Sequence, residues 1–189
     1  SVGASGDLTP LSYLAALLIG EREASFRGQR MDASEALRRG GIEPIVPAPK
    51  EGLALMNGTS VTTAMACLAY ERCWRLARFS AALTAMASDV LRGNPEHFDP
   101  RIFELKPFPG SSQVATWIRE DLELPFSVPG ITACLQDRYS VRCAPHVIGL
   151  LVDALLQAGP ALEIEINSVN DNPIVDGETG RVLHGGNFY

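Results

Sequence analysis

The fold is decided by residues 60–91, which read Ser60-VTTAMACLAYERCWRLARFSAALTAMASDV-Leu91 and contain neither glycine nor proline. Alanine, leucine, methionine and arginine dominate the stretch, and all four favour helix. One helix over its whole length would extend about 48 Å at 1.5 Å per residue. Apolar residues recur at steps of three and four, which predicts a buried helix of a bundle. These positions are Met65, Leu68, Ala69, Leu76, Phe79, Leu83, Met86 and Val90.

Two shorter helices are predicted upstream of this stretch. The first has Thr9 as its N-cap and ends at Gly20. In the second, Asp32 with Glu35 resembles a capping box, and the glycine pair at 40–41 ends the helix.

A second long helix is predicted from about Pro145 to Asn167. Repeated prolines interrupt residues 93–130, so that only residues 111–122 are long enough there to form a helix. Residues 176–183 predict a hairpin because Asp-Gly and Thr-Gly are turn pairs. The predicted fold class is therefore mainly α, a long-helix bundle with a short hairpin near the C-terminus.

Composition excludes several classes of function. The net charge of -6 and the dispersed Lys and Arg residues argue against a nucleic-acid surface. No apolar run reaches the roughly 18 residues that a membrane helix needs, and no signal peptide is visible. The four cysteines lack paired CxxC spacing, so no metal site is expected, and they read as reduced thiols of a cytoplasmic protein.

The tripeptide Ala4-Ser5-Gly6 carries the most unusual chemistry of the chain. Because Gly6 has no side chain, its amide nitrogen can reach the Ala4 carbonyl carbon and close a five-membered ring. Loss of water, including the Ser5 hydroxyl, leaves a methylidene-imidazolone (MIO), an electrophile suited to chemistry on an amine. The alternative is a glycine-rich turn that caps a helix.

Two further polar segments are candidates for a site. Asn57 can project where Gly58 lets the backbone turn, although a helix-start turn is the simpler explanation. Gln136, Tyr139 and Arg142 are three residues apart, so on a helical turn they share one face. An amide, a phenol and a guanidinium there suit the binding of a carboxylate and the handling of a proton. The alternative is a solvated polar turn.

Five motifs, in order, resemble those of the MIO-dependent aromatic amino acid ammonia-lyases, the family of histidine, phenylalanine and tyrosine ammonia-lyases and the related aminomutases. They cover essentially the whole chain, and the ordered set is specific where one motif alone is not. The motifs are Gly3-Ala4-Ser5-Gly6-Asp7, Asn57-Gly58-Thr59, Gln136-Asp137-Arg138-Tyr139-Ser140-Val141-Arg142, Asp171-Asn172-Pro173 and Gly185-Gly186-Asn187-Phe188.

The resemblance implies a role for each matching residue. The implied catalytic residues are Ala4, Ser5, Gly6, Asn57 and Tyr139, the implied substrate-binding residues are Gln136, Arg142 and Phe188, and Asp7 is a supporting acidic residue beside the tripeptide. The cofactor would be MIO formed from the tripeptide, with no metal or nucleotide. Asn57 would hydrogen-bond MIO, Arg142 would grip the substrate carboxylate, and Phe188 would pack beside MIO.

The implied activity is non-oxidative elimination of ammonia from an aromatic L-amino acid, either phenylalanine or tyrosine or else histidine, to give an arylacrylate. His184 and Arg138 favour the phenylalanine/tyrosine branch over the histidine branch. One alternative is an aminomutase, which returns the ammonia to the β-carbon and yields a β-amino acid. Another is a non-catalytic helical scaffold, against which the set of polar site residues argues.

By the same resemblance, residues 1–189 would be the central part of a single MIO-lyase domain, truncated at both ends. The subunit would assemble into a homotetramer whose active sites draw residues from more than one subunit. The family's catalytic tyrosine loop lies upstream of Ser1 and further pocket residues lie beyond Tyr189, so the isolated chain is expected to be inactive.

Overall fold

The structure, a computed structural model, describes residues 8–123 and 135–185. Within these ranges the chain is mainly helical with two small antiparallel hairpins, which confirms the predicted fold class. The helices are α1 (Thr9–Leu18), α2 (Ala33–Gly40), α3 (Glu51–Met56), α4 (Ser60–Leu91), a 3-10 helix (Pro95–Phe98), α5 (Pro100–Glu104), α6 (Pro109–Asp121), α7 (Tyr139–Arg142) and α8 (Ala144–Ile166). The strands are β1 (Glu23–Phe26), β2 (Gln29–Asp32), β3 (Ile174–Val175) and β4 (Val182–Leu183).

The described residues divide into two compact units. The first unit consists of residues 8–65 and 164–185, and the second consists of residues 66–123 and 135–163. Because α4 and α8 each cross the division, both long helices contribute to both units.

Helix α4 has the predicted bounds, but the prediction of its buried face is wrong. Its buried side chains are all small, namely Thr63, Ala77, Ala81, Ala85 and Ser88. The large apolar side chains lie on exposed positions, with Phe79 61% and Met86 64% exposed. Periodicity reveals that a face is apolar, but not whether the same chain covers it. Small side chains let neighbouring elements approach the α4 backbone closely, which explains why the alanine face is the packed one.

The hydrophobic core of the second unit forms on that alanine face. Phe98 from the 3-10 helix, Val114 and Ile118 from α6, and Val152 from α8 are fully buried there. Burying side chains of this size stabilises the fold by about 1.5–3 kcal/mol each. Edge-to-face contacts between Trp74 of α4 and Trp117 of α6, with ring centroids 6.3 Å apart, extend the core toward the surface.

Helices α6 and α8 touch through their backbones. A Cβ atom placed on Gly110 would lie 2.2 Å from the Gly149 carbonyl oxygen, and one on Gly149 would lie 2.6 Å from the Ser111 backbone. The Gly110 N–H donates to the Asp153 carboxylate over 2.7 Å, which satisfies a donor at the start of α6. Glycine at both positions is therefore a steric requirement of this crossing.

The hairpin of β1 and β2 was not predicted from the sequence. Glu23 pairs with Asp32 and Phe26 with Gln29, around a turn at Arg27 and Gly28. Both turn residues have positive φ, 50° and 80° respectively, as a two-residue turn of the I′ kind requires. Each strand has only four residues, and β2 is polar except for Met31, so the alternation of β1 is too short to mark a strand.

Helix bounds follow the predictions, but two caps differ. Leu8 rather than Thr9 is the N-cap of α1. Asp32 is the N-cap of α2 without a capping hydrogen bond from its side chain. The capping box fails because Glu35 instead bonds Arg38 and Arg39, over 2.6–2.8 Å. These guanidinium groups hold the pKa of the Glu35 carboxyl at about 2.

The remaining predicted elements are confirmed. Helix α6 covers the predicted residues 111–122 to within two residues, and α8 runs from Ala144 to Ile166 with Pro160 inside it. The hairpin near the C-terminus pairs Ile174 with Leu183 and Val175 with Val182.

Two helical stretches of the described chain reach the length and mean hydropathy of a membrane span. They are Glu51–Leu91 and Tyr139–Ile166, which contain 18-residue windows with a mean hydropathy of 1.2 and 1.6, respectively. Core helices of proteins without a membrane pass the same test. The middle of α4 carries four charges between Glu71 and Arg78, three of them in surface salt bridges, and charges at that depth of a bilayer are costly.

Candidate active site

Five of the predicted site residues lie outside the described residues. They are Ala4, Ser5, Gly6, Asp7 and Phe188. Their roles remain predictions from the sequence. Asn57, Gln136, Tyr139 and Arg142 lie within the described ranges, Asn57 in the first unit and the other three in the second.

Asn57 is the C-cap of α3 and is buried, with 7% of its surface exposed. Its backbone has φ -117° and ψ 64°, and its N–H donates to the Leu53 carbonyl over 2.9 Å. The chain leaves helical geometry at this residue and re-enters it at Ser60. Asn57 therefore lies at a break between α3, which was not predicted, and α4.

A second stretch of the first unit packs against the two residues that follow Asn57. A Cβ on Gly58 would lie 3.3 Å from the Asn170 carbonyl oxygen, so the two backbones are nearly in contact. The Thr59 hydroxyl donates to the Glu165 carboxylate. The segment after α8 therefore follows the α3–α4 break closely, and it limits how far Asn57 can move.

Lys50 holds the same segment from the other end of α3. Its ammonium group donates to the Asp171 carboxylate and to the Pro173 carbonyl, which brackets Asn172. Lys50 has φ 77°, which is unusual for a residue with a side chain. The ion pair is mostly shielded from water, with Asp171 14% exposed. The segment that follows α8 is thus clamped to the start of α3.

Asn172 is a site residue to which the sequence assigned no role of its own. Its side-chain oxygen is buried and accepts no hydrogen bond within the described part of the chain. A buried acceptor without a donor costs about 1–3 kcal/mol, so such atoms often mark positions where another group binds. The amide-rich composition of residues 167–173 indicated a turn, but spacing alone cannot reveal an unpaired oxygen.

Tyr139 and Arg142 form one turn of helix and contact each other. The Arg142 guanidinium carbon lies 5.1 Å from the centre of the Tyr139 ring, a cation–π distance. The prediction that Gln136 shares this face is wrong, because α7 begins only at Tyr139. Arg138 is its N-cap, with an extended ψ of 143°, which separates Gln136 from the helical turn.

The Arg142 guanidinium is oriented by its inner nitrogen. Its Nε–H donates to the Asp137 carbonyl oxygen over 3.2 Å, and Nη1 lies 3.5 Å from Cys143 Sγ, a weak acceptor. Arginine has five N–H donors in a planar fork. Within the described residues, Nε and one N–H of Nη1 are therefore used for orientation, while Nη2 and the other N–H of Nη1 remain as donors in the arrangement that a carboxylate accepts.

Asp137 is itself held by residues that precede α5. Its carboxylate accepts from the Asn94 backbone N–H over 2.8 Å, and its own N–H donates to His97 Nε2 over 3.0 Å. A Cβ on Gly93 would lie 2.5 Å from Asp137 Oδ2, so the carboxylate packs directly on the Gly93 backbone. Sequence reasoning missed His97 and Asn94 because they lie about 40 residues from their partners.

The described residues offer little for a metal. No three His, Cys, Asp or Glu side chains of residues 8–123 and 135–185 lie together in a way that could hold an ion. Cys67, Cys73 and Cys143 are free thiols. A pocket of about 550 Å³ in the first unit is lined by Tyr13, Arg22, Glu23, Ala24, Ser25 and Arg30, none of which was predicted as a site residue.

Comparison with known proteins identifies a family. The family model described as "Aromatic amino acid lyase" matches residues 1–189. The chain is 42% identical to the histidine ammonia-lyase of Myxococcus xanthus (strain DK1622), over all of this chain and 38% of that relative.

Solved structures agree with that match. The phenylalanine aminomutase of Pantoea agglomerans superposes with a TM-score of 0.81 at 34% identity, over 99% of this chain and 40% of that one. The phenylalanine ammonia-lyase of Rhodosporidium toruloides gives a TM-score of 0.78 at 39% identity, over 96% of this chain and 29% of that one. The chain spans well under half the length of each of these proteins.

Proposed function

The chain belongs to the aromatic amino acid lyase family, and we propose that its protein eliminates ammonia from an aromatic L-amino acid to give an arylacrylate. The observation that carries the proposal is Arg142, whose inner edge is fixed on the Asp137 carbonyl while its outer edge keeps the donors that a carboxylate accepts. The match of the whole chain to the family supports it.

Arg142 binds the substrate carboxylate in this proposal. A bidentate pair fixes both the distance and the plane of the carboxylate, so it also orients the β-carbon from which the proton leaves. The Tyr139 ring packs against the guanidinium and limits its rotation. Tyr139 is 68% exposed in the described chain, so its hydroxyl is accessible for a proton or a hydrogen bond.

The prosthetic group in this proposal is MIO, formed from Ala4, Ser5 and Gly6. It would supply an electrophile toward the substrate, at the amine or at the aromatic ring. Two observations fit such a group. Helix α1, which follows the tripeptide, packs on α3, whose C-cap is the buried Asn57. The amide of Asn57 is held at a helix break, where its N–H group could donate to a carbonyl oxygen or an imine nitrogen of MIO and polarise it.

Asn172 adds an acceptor to this set. Its unpaired buried oxygen can take a hydrogen bond from an N–H or O–H group that enters the site. The clamp of Lys50 on Asp171 and Pro173 holds that oxygen in place on both sides. Asn172 and Asn57 belong to the same unit, so both amides are carried by one compact part of the chain.

The substrate is either phenylalanine or tyrosine, as His184 and Arg138 favour, or histidine. The Myxococcus relative is a histidine ammonia-lyase, and the Rhodosporidium structure is a phenylalanine ammonia-lyase. A second candidate function is that of an aminomutase, which the likeness to the Pantoea phenylalanine aminomutase supports.

We also propose that the chain is the central part of one longer MIO-lyase domain, in a cytoplasmic homotetramer with shared active sites. The large apolar side chains on the exposed face of α4 support this assembly, because contact with another subunit would remove them from water. The catalytic base and the residues that read the aromatic ring would then lie outside this chain, and the isolated chain would be inactive.

The test uses the full-length protein. Intact mass and the near-ultraviolet difference spectrum report whether the peptide containing Ser5 has lost two waters. Product chromatography with histidine, phenylalanine and tyrosine then separates an arylacrylate from a β-amino acid. Ser5→Ala is the matched control, and it should lack both the mass deficit and the activity. A folded tetramer with an unmodified mass and no turnover would leave only the scaffold function.

A further inference from the structure

Residues 135–142 are supported from one side by the segment between α4 and α5. The Asn94 backbone N–H donates to the Asp137 carboxylate over 2.8 Å, and the Asn94 side chain donates to the Leu135 carbonyl over 3.4 Å. The Asp137 N–H donates to His97 Nε2 over 3.0 Å. All of these residues belong to the second unit, so the contacts lie within one compact body.

The contact between His97 and Asp137 is sheltered from water. The two side chains are 14% and 10% exposed. Because Nε2 accepts the Asp137 N–H, the imidazole proton is assigned to Nδ1. His97 Nε2 is also 3.7 Å from Asp137 Oδ2, which is beyond a hydrogen bond, so the backbone contact is the specific one.

The two backbone groups of Asp137 point to different partners. Its N–H is taken by His97, and its carbonyl oxygen accepts the Nε–H of Arg142 over 3.2 Å. The imidazole therefore fixes the residue from which the guanidinium takes its direction. Rotation of Asp137 would move the Arg142 acceptor and turn the outer edge of the fork.

We propose that His97 is a positioning residue, which holds Asp137 so that the Asp137 carbonyl aims the Arg142 guanidinium at the substrate carboxylate. The inference rests on the proposed function, since it takes Arg142 as the carboxylate-binding residue. It adds a residue that no motif contains, because His97 lies 40 positions before its partner. His97 itself touches neither substrate nor MIO.

The test compares two amide replacements in the full-length protein. In His97→Gln the side-chain oxygen reaches the position of Nε2 and can still accept the Asp137 N–H, whereas in His97→Asn the shorter side chain cannot. We expect His97→Asn to raise KM by about tenfold, the effect of losing one sheltered hydrogen bond, and to lower kcat as well, because Arg142 also orients the β-carbon. We expect His97→Gln to restore the wild-type KM. His146→Asn is the control, because His146 packs on Phe103, 5.3 Å between ring centres, and not on Asp137.

A second measurement distinguishes a change in the orientation of Arg142 from a general loss of order in the binding site. Inhibition is measured with the arylacrylate of the best substrate among histidine, phenylalanine and tyrosine, and with its primary amide, which lacks the carboxylate. His97→Asn should weaken the arylacrylate about tenfold and the amide by less than about twofold. Equal weakening of both, or a His97→Gln variant as impaired as His97→Asn, would overturn the inference.

If His97→Asn does not fold, Gly93→Ala tests the same inference, because it displaces Asp137 through its carboxylate and leaves His97 unchanged. The new methyl would meet Asp137 Oδ2 and Ser88 Oγ at 2.5 and 2.7 Å, so it displaces the carboxylate that Asn94 holds. We expect Gly93→Ala to weaken the arylacrylate more than its primary amide. Equal weakening of both inhibitors, or no weakening of the arylacrylate, would overturn the inference. A wild-type protein that neither turns over the three amino acids nor binds an arylacrylate refutes the proposed function and the inference together. An active wild type with an unchanged His97→Asn variant refutes the inference alone.

Discussion

Gly149→Ala should destabilise the protein although alanine is the better helix former. The new methyl would lie 2.6 Å from the Ser111 Cα, N and Oγ atoms, whereas carbon contacts settle near 3.5–4.0 Å. Two of those three atoms are backbone, so no rotamer change relieves the clash. Helices α6 and α8 must move apart by about 1 Å, the shortfall from an ordinary contact.

The magnitude follows from the groups that this separation disturbs. Overpacking costs about 1–3 kcal/mol, and the movement also strains the 2.7 Å hydrogen bond between the Gly110 N–H and Asp153, worth about 1 kcal/mol. Alanine returns about 1 kcal/mol of helix propensity. The net loss is about 1–3 kcal/mol, which lowers Tm by roughly 2–12 °C for a domain of 150–250 residues.

Gly52→Ala is the matched control. Gly52 is also helical, in α3, but no atom lies within 4 Å of the position that its Cβ would take. That variant should be neutral or stabilised by up to about 1 kcal/mol. Thermal unfolding of the two full-length variants and the wild type, at one protein concentration, gives the comparison. If Gly149→Ala melts together with Gly52→Ala, the backbone contact between α6 and α8 does not exist as described.

Two further changes test ion pairs of the described chain. In the wild type, the bidentate pair with Arg78 lowers the pKa of the Asp121 carboxyl, and Asp121→Asn removes this pair. Because the Arg78 side chain is 43% exposed, the pair contributes less than about 1 kcal/mol to stability. The stability that this pair contributes is present above the unfolded-state pKa of Asp121, near 3.8, and is lost as the pH falls through the lower folded-state pKa. The Tm of D121N should therefore be below that of the wild type at pH 7, and the two Tm values should converge in acid. Lys50→Met leaves the sheltered Asp171 carboxylate unpaired and should cost about 1–3 kcal/mol, of which Asp171→Asn in the same chain recovers part. A double-mutant cycle in denaturant measures the coupling, and a coupling near zero would contradict the clamp.

The lengths of the helices could be predicted because they depend on local chemistry. Residues 60–91 lack glycine and proline, so nothing interrupts the hydrogen-bond ladder, and α4 has these bounds. The hairpin at β1 and β2 could not be predicted, because Arg27 adopts the left-handed conformation that asparagine or glycine usually marks. The capping box failed because Glu35 found two arginines within its own helix.

The candidate site was predictable to the extent that its residues are close in sequence. Tyr139 and Arg142 lie three apart and share a face, as predicted. Gln136 does not, because Asp137 is bonded to His97 and the chain is extended at Arg138, which delays the helix start. Contacts across 40 residues decide that start, and no local pattern encodes them.

The apolar face of α4 links the wrong prediction of burial to the proposed assembly. Its periodicity is real, yet Phe79 and its neighbours on that face are exposed in the described chain. A lipid bilayer is not expected to cover this helix. Arg75 pairs with Glu71 and Arg78 with Asp121 at the surface, and burial in hydrocarbon would desolvate both ion pairs at a large cost in free energy. A second protein surface can bury the large apolar side chains and leave these pairs at its hydrated rim. The pattern therefore supports burial between chains, which is why a sequence-based prediction of core residues assigned the wrong face to the interior of this one.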